Sequence, residues 1–168
     1  MNVMTAPGAK ELVLVREFKA PRERVFAAWT DPLQAALWWV PRDFVPLSCT
    51  MDVRVGGAWH RRMRSPNGGL VVKFGVYREV VRFERPVFTY ITEGADGTMD
   101  PETLVALTFV DLGERRTRFT LWHTGFETEA SRDDHRGGWT GALERHEAWL
   151  EKASRTIESS TTEERIKP

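Results

Sequence analysis

The chain has 168 residues, 41% of them hydrophobic and 29% charged, the make-up of an ordinary soluble globular protein of one domain. Its 24 basic and 24 acidic side chains cancel, so the cationic excess that releases counterions from nucleic-acid phosphates is missing and no nucleic-acid partner is expected. The single cysteine, Cys49, cannot close an internal disulfide, and no apolar run approaches the ~18 residues of a membrane span, so no membrane insertion and a cytoplasmic location are expected.

Residues 1–10 hold Pro7 and Gly8 without periodicity and read as a loose arm. From Glu11 to Lys19 the residues alternate, with Leu12, Leu14 and Phe18 on one face and Val13 and Val15 on the other, which predicts a strand. Pro21 suits the first position of a helix carrying Val25, Phe26 and Trp29. Asp31-Pro32 repeats that signal, with Asp31 capping a second short helix that carries Leu33, Ala36 and Leu37 and stops before Pro41. Two such helices cannot cross a domain and are expected to close one end of it.

Cys49, Met51, Val53 and Val55 then alternate with Thr50, Asp52 and Arg54, predicting a half-buried strand that ends at a Gly56-Gly57 bend. Trp59, Arg61 and Met63 continue on one face, with His60, Arg62 and Arg64 on the other. The run Ser65-Pro66-Asn67-Gly68-Gly69 is a turn signal. Strands over 70–80, 87–93, 103–111 and 117–125 follow, with turns at 94–97 and 111–114. Such short connections imply antiparallel neighbours. A helix over 131–154 closes the chain, with Ser131 and Asp134 as a capping box and Trp139, Leu143, His146, Trp149, Leu150 and Ala153 as one apolar stripe. Its length of about 36 Å matches the width of a sheet whose ten-residue strands span about 33 Å. The polar run after it reads as a tail. The fold class is therefore α+β: strand, two short helices, six strands and a long C-terminal helix, in one domain over 11–154 with flexible termini at 1–10 and 155–168.

Several strings sharpen this reading. They are Ala20-Pro21-Arg22-Glu23-Arg24-Val25-Phe26-Ala27-Ala28-Trp29-Thr30-Asp31-Pro32, Trp38-Trp39-Val40-Pro41, Asp52-Val53-Arg54-Val55-Gly56-Gly57-Ala58-Trp59, Met63-Arg64-Ser65-Pro66-Asn67-Gly68, His123-Thr124-Gly125-Phe126 and His135-Arg136-Gly137-Gly138-Trp139. Together they resemble the START-like (SRPBCC, helix-grip) superfamily and, within it, the bacterial homologues of the activator of the 90-kDa heat-shock-protein ATPase, over residues 11–153. The resemblance implies a curved antiparallel sheet around the C-terminal helix with an internal cavity, often for an apolar or aromatic small molecule. The superfamily also contains enzymes such as polyketide cyclases, so fold alone does not fix activity.

Seven tryptophans can thicken a core or line a pocket. For any one ring core filling is the simpler reading; for the set Trp39, Trp59, Trp122, Trp139 and Trp149, some cavity lining is expected. The candidate ligand-binding residues are Trp39, Phe44, Trp59, Met63, Phe74, Trp122, Phe126, Trp139 and Leu143. The histidines His60, His123, His135 and His146 show neither His-x-His nor His-Glu-x-x-His spacing, so no metal and no cofactor are expected. His146, on the apolar stripe, is expected in the core or at a cavity edge with one hydrogen bond, while His123 and His135 could reach one rim. Asp52, Glu79, Glu93, Arg54 and Arg61 could form a polar set within the cavity. No Gly-x-Ser-x-Gly string or phosphate loop is present, and no catalytic residue is assigned. The basic run 60–64 splits its charges between two strand faces and reads as an edge that discourages sheet association. Gly137, Gly138 and Gly141 near one helix start suggest close backbone packing or, second, room for a ligand at the cavity mouth.

The expected function is binding of a small hydrophobic or aromatic molecule, lipids included, by a monomer or weak homodimer. One alternative is a polyketide-cyclase or lyase-like enzyme using His123, Asp52 or Glu93 as acid or base. The other is a co-chaperone-like module with a chaperone-type protein partner, docking through the short helices that carry Trp38 and Trp39.

Overall fold

The computed structural model describes residues 8–164, and side-chain environments for 8–153. Chain order is β1 (Leu12–Phe18), α1 (Arg22–Thr30), α2 (Pro32–Trp38), β2 (Val45–Met51), β3 (Ala58–Arg64), β4 (Leu70–Val81), β5 (Arg85–Glu93), β6 (Thr103–Gly113), β7 (Arg116–Thr124) and α3 (Glu129–Glu164). The seven strands form one sheet in the order β1-β7-β6-β5-β4-β3-β2, each pair antiparallel. Strands two to seven are thus a meander of hairpins, and only β1 reaches its partner non-locally, placing α1 and α2 across one end. This is the α+β, curved-sheet architecture that the order of elements predicts. The expected arms fall partly on residues 1–7 and 165–168, which lie outside the described residues, and α3 runs on to Glu164 rather than 154.

The local signals act where expected, with shifts that have physical causes. Asp31 caps α2 by accepting from the Leu33 N–H at 3.0 Å. That helix, however, buries Ala35 and Trp38 and leaves Leu33 79% exposed. The Trp38 indole donates to the Ala28 carbonyl at 2.9 Å, and this buried bond turns the Leu33–Leu37 face outward. The α3 cap is Thr128, whose Oγ1 accepts from the Ser131 N–H at 3.1 Å, three residues ahead of the expected Ser131. β2 starts at Val45 and stops at Met51, because 52–57 folds into a turn around Gly56 at φ +82°. A Cβ on Gly57 would lie 1.9 Å from the Asp52 carbonyl oxygen, so this turn requires glycine.

Trp29 is the hub of the core, with ring centroids 4.6 Å from Trp38, 5.3 Å from Trp39, 5.2 Å from Phe119 and 5.9 Å from Trp139. From α3, Trp139, Ala142, Leu143, His146 and Leu150 are buried at three- and four-residue steps. Trp149 is half-buried, its indole donating to Gln34 Oε1 at 3.2 Å.

Candidate ligand pocket

A cavity of about 770 Å³ opens between the first turns of α3, the 39–44 segment after α2, and the concave faces of β3, β4 and β5. The 39–44 segment is fixed from α3. Arg145 donates to the carbonyls of Pro41 at 3.3 Å and Phe44 at 3.0 Å, and Arg42 pairs with Glu144. A Cβ on Gly141 would stand 2.7 Å from the Arg42 nitrogen, so that glycine serves close backbone approach. Gly137 and Gly138 instead border the cavity, where a Cβ on Gly137 meets nothing within 4 Å. Close backbone packing thus accounts for Gly141, while Gly137 and Gly138 stand at the cavity border. A side chamber of about 200 Å³, walled in part by Phe126 and Thr103, shares Tyr90, Thr92 and His135 with the main cavity.

The aromatic wall is built by stacking. The Trp39 ring lies 5.2 Å from Trp59 and 6.2 Å from Trp139, both near parallel at 26°. The Arg61 guanidinium sits 3.7 Å above the Trp39 ring. Arg61 donates to the Trp39 carbonyl and, at 3.3 Å, to the Tyr90 hydroxyl. Burial pushes its pKa down from the ordinary arginine value, while Tyr90 and Cys49 act in the opposite direction. Burial likewise pushes the Cys49 thiol up, against an opposing pull from Arg61.

Strand register decides which side chains reach the cavity. Val71 and Lys73 line it, so the alternate residue Phe74 faces the other side of β4, opposite His60 on β3. On β7, Leu121 and His123 are buried inward, and Trp122 between them lies on the convex face opposite Val13 and Ala106. Of the predicted lining residues, Trp39, Phe44 and Trp139 border the cavity and Phe126 borders the side chamber. Trp59, Met63 and Leu143 are buried outside the lining, and Phe74 and Trp122 face away. The lining residues missed include Lys73, Tyr90 and Thr92 on the strand wall and Asp100 and Asp134 nearby. Pairing 61 with 73 about the 65–69 turn would have found Lys73, because that hairpin places it directly opposite Arg61.

The predicted polar set does not converge. Asp52 is exposed and pairs with Arg54 at 2.7 Å, and Glu79 pairs with Arg85 at 3.7 Å. Glu93 follows Thr92 on β5 and so points to the opposite face. His123 is fully buried with both ring nitrogens engaged. Trp139 Nε1–H donates to its Nδ1 at 3.0 Å, which leaves the proton on Nε2, 2.7 Å from Thr103 Oγ1. The Thr103 hydroxyl donates onward to the Tyr90 carbonyl at 2.8 Å. Burial first, then the charges of His135 and Lys73, hold the His123 pKa well below its ordinary value. His135 does reach the rim, 5.3 Å from His123 between ring centroids, with its Nδ1 at 2.8 Å from the Ser131 carbonyl. Among the described residues no cluster of His, Cys, Asp or Glu is placed to hold a metal, and no helix is long and apolar enough to cross a membrane.

The family profile described as Activator of Hsp90 ATPase homolog 1-like protein matches residues 19–151. Among solved structures, a protein from Arthrobacter aurescens is 25% identical with a TM-score of 0.76, covering 90% of this chain and 93% of its own. The AHSA1 protein from Silicibacter pomeroyi is also 25% identical, with a TM-score of 0.75 over 85% of this chain and 99% of its own. A protein from Chromobacterium violaceum is 27% identical, with a TM-score of 0.73 over 86% and 99%. No curated protein matches the chain.

Proposed function

The chain belongs to the Activator of Hsp90 ATPase homolog 1-like family, and from that premise we propose that it binds a small hydrophobic or aromatic molecule in the cavity between sheet and C-terminal helix. The observation that carries this reading is the cavity itself: about 770 Å³, open to solvent and walled by the Trp39 and Trp139 rings. That volume lies within the roughly 300–1,000 Å³ of small-molecule sites. Burying about 200 Å² of apolar ligand surface at ~25 cal/mol per Å² contributes roughly 5 kcal/mol. Ring stacking adds ~1 kcal/mol, and the lost translational and rotational freedom of the ligand offsets part of the sum.

The geometry favours this reading over its rivals. An acid or base needs a nitrogen or oxygen free to meet a substrate. Both nitrogens of His123 are engaged, and Asp52 and Glu93 lie away from the cavity. The tryptophans that were to carry a docking surface on the short helices are buried, Trp38 at 1% and Trp39 at 2% exposed, which leaves such a surface to Leu33 and Leu37.

The test is calorimetric titration with 2-naphthamide, a neutral flat aromatic. One-site saturable binding is expected, weakened at least tenfold by Gly138→Leu, whose added side chain would start 3.7 Å from Pro41 at the cavity mouth. Binding that is unaffected by that substitution would place the ligand elsewhere.

A further inference from the structure

Across the concave wall of the cavity runs a row of directly paired residues, Arg61 on β3, Lys73 on β4 and Thr92 on β5. Residues paired in this way hold their Cβ atoms about 5 Å apart, and like charges so placed repel. Arg61 and Lys73 are such a pair. Neither takes part in an ion pair among the described residues, and although Asp100 and Asp134 border the same cavity, neither comes within ion-pair range of them. Arg61 is only 3% exposed. A buried cation without a counter-charge is costly unless something supplies one.

The hydrogen bonds of the row are incomplete as well. Of the five guanidinium donors, one meets the Trp39 carbonyl and one the Tyr90 hydroxyl, and Arg61 Nε is buried without a partner. Thr92 Oγ1 and Trp39 Nε1 are also buried and unpartnered. Unused donors thus gather beside an unbalanced pair of cations, on the wall faced by the Trp39 and Trp139 rings.

We propose that the molecule held in this cavity is an aromatic carboxylate, its carboxylate received by Arg61, Lys73 and Thr92 and its ring lying against Trp39 and Trp139. The proposal deepens the ligand-binding reading and rests on it. The charge of the group follows from the wall. Arg61 and Lys73 stand side by side on the strand wall with Asp100 and Asp134 outside ion-pair range, so the local field there favours an anion, while the two carboxylates bordering the same cavity would oppose a dianion such as a phosphate monoester. Arginine's planar fork matches a carboxylate in two parallel hydrogen bonds, and the apolar ring fills the remaining wall.

The experiment compares 2-naphthoate with 2-naphthamide, which share shape and differ in charge, by calorimetry at pH 7.5. The naphthoate is expected to bind at least tenfold tighter. Lys73→Met is expected to cut that preference at least threefold, the ratio of the two affinities being read within the variant so that any change in amide binding divides out. This variant suits the test because Lys73 is half-buried and, among the described residues, lies 5.2 Å from the Tyr90 ring without an ion pair, whereas Arg61 also holds Trp39 and Tyr90 in place. Equal affinity for the two probes would overturn the anionic group and leave the pocket standing. An undiminished preference in Lys73→Met would overturn the assignment to this row. Binding of neither probe would overturn the pocket reading and this one with it.

Discussion

His146 is the clearest case of a side chain whose surroundings contradict its chemistry. It is fully buried, 4.7 Å from Phe18 edge-on and 4.3 Å from Trp38 between ring centroids, and neither ring nitrogen has a hydrogen-bond partner. The apolar stripe of α3 announced its burial. The one hydrogen bond expected for it is missing: the rings of Phe18, Trp29, Trp38 and Phe119 pack around it, and only the fold reveals that. Desolvation holds its pKa down to about 3, against 6.5 for the free ring. The unfolded chain therefore binds more protons than the folded one below about pH 6.5, and stability falls as pH drops through that value toward 3. The slope is about 1.4 kcal/mol per pH unit. Replacing His146 by Leu removes this contribution, so His146→Leu is expected to gain about 2 kcal/mol more at pH 5 than at pH 7.5 in urea unfolding. Parallel pH profiles for the two proteins would contradict it. His123, shifted in the same direction by burial, remains in both and does not affect the difference.

At the scale of elements, the ends and faces are decided by contacts that no local signal contains. The first turns of α3 hold two glycines with opposite demands. Gly137 has open space around a would-be Cβ, whereas at Gly141 that atom would press on the Arg42 backbone at 2.7 Å. Gly137→Ala is expected to stabilise by about 0.5–1 kcal/mol, since alanine loses less freedom in a helix. In a chain of this size that raises Tm by roughly 2–4 °C per kcal/mol. Gly141→Ala is expected to lower Tm, and a rise would refute the tight crossing. The β6–β7 hairpin turns through Glu114 and Arg115, both at positive φ (53° and 58°), where asparagine and glycine sit more easily. Glu114→Asn with Arg115→Gly is expected to add about 1 kcal/mol in thermal or urea unfolding. The sequence placed this turn one or two residues early, over 111–114, because Asp111 and Gly113 carry the turn chemistry. Their register shift between Asp111 and Gly113 instead carries the ladder on to the Gly113–Arg116 pair.

Over the whole molecule, alternation and turn residues made the order of strands and their antiparallel pairing legible, while the aromatic content announced a thick core and a possible cavity. Which aromatics line that cavity was not legible. Alternation gives each strand two faces without saying which is concave, and Phe74 and Trp122 fall on the face opposite the lining residues in an unbroken register. Phe74 and Trp122, large and apolar, are only half-buried on the convex side. The charged row that does face the cavity came from hairpin geometry, a signal that composition hides. Of the polar set expected in the cavity, Arg61 alone lines it, while Asp52 pairs with Arg54 and Glu79 with Arg85 away from it.

The seven tryptophans supply the most direct test of the cavity as a ligand site. Two-dimensional NMR resolves each indole N–H, and 2-naphthoate can be titrated while all seven are followed. Saturable shifts are expected at Trp39 and Trp139, the larger at Trp39, whose Nε1 has no partner in the fold, with Trp122 on the convex face unmoved. Shifts confined to Trp122, or none at Trp39 and Trp139 at saturating ligand, would contradict it.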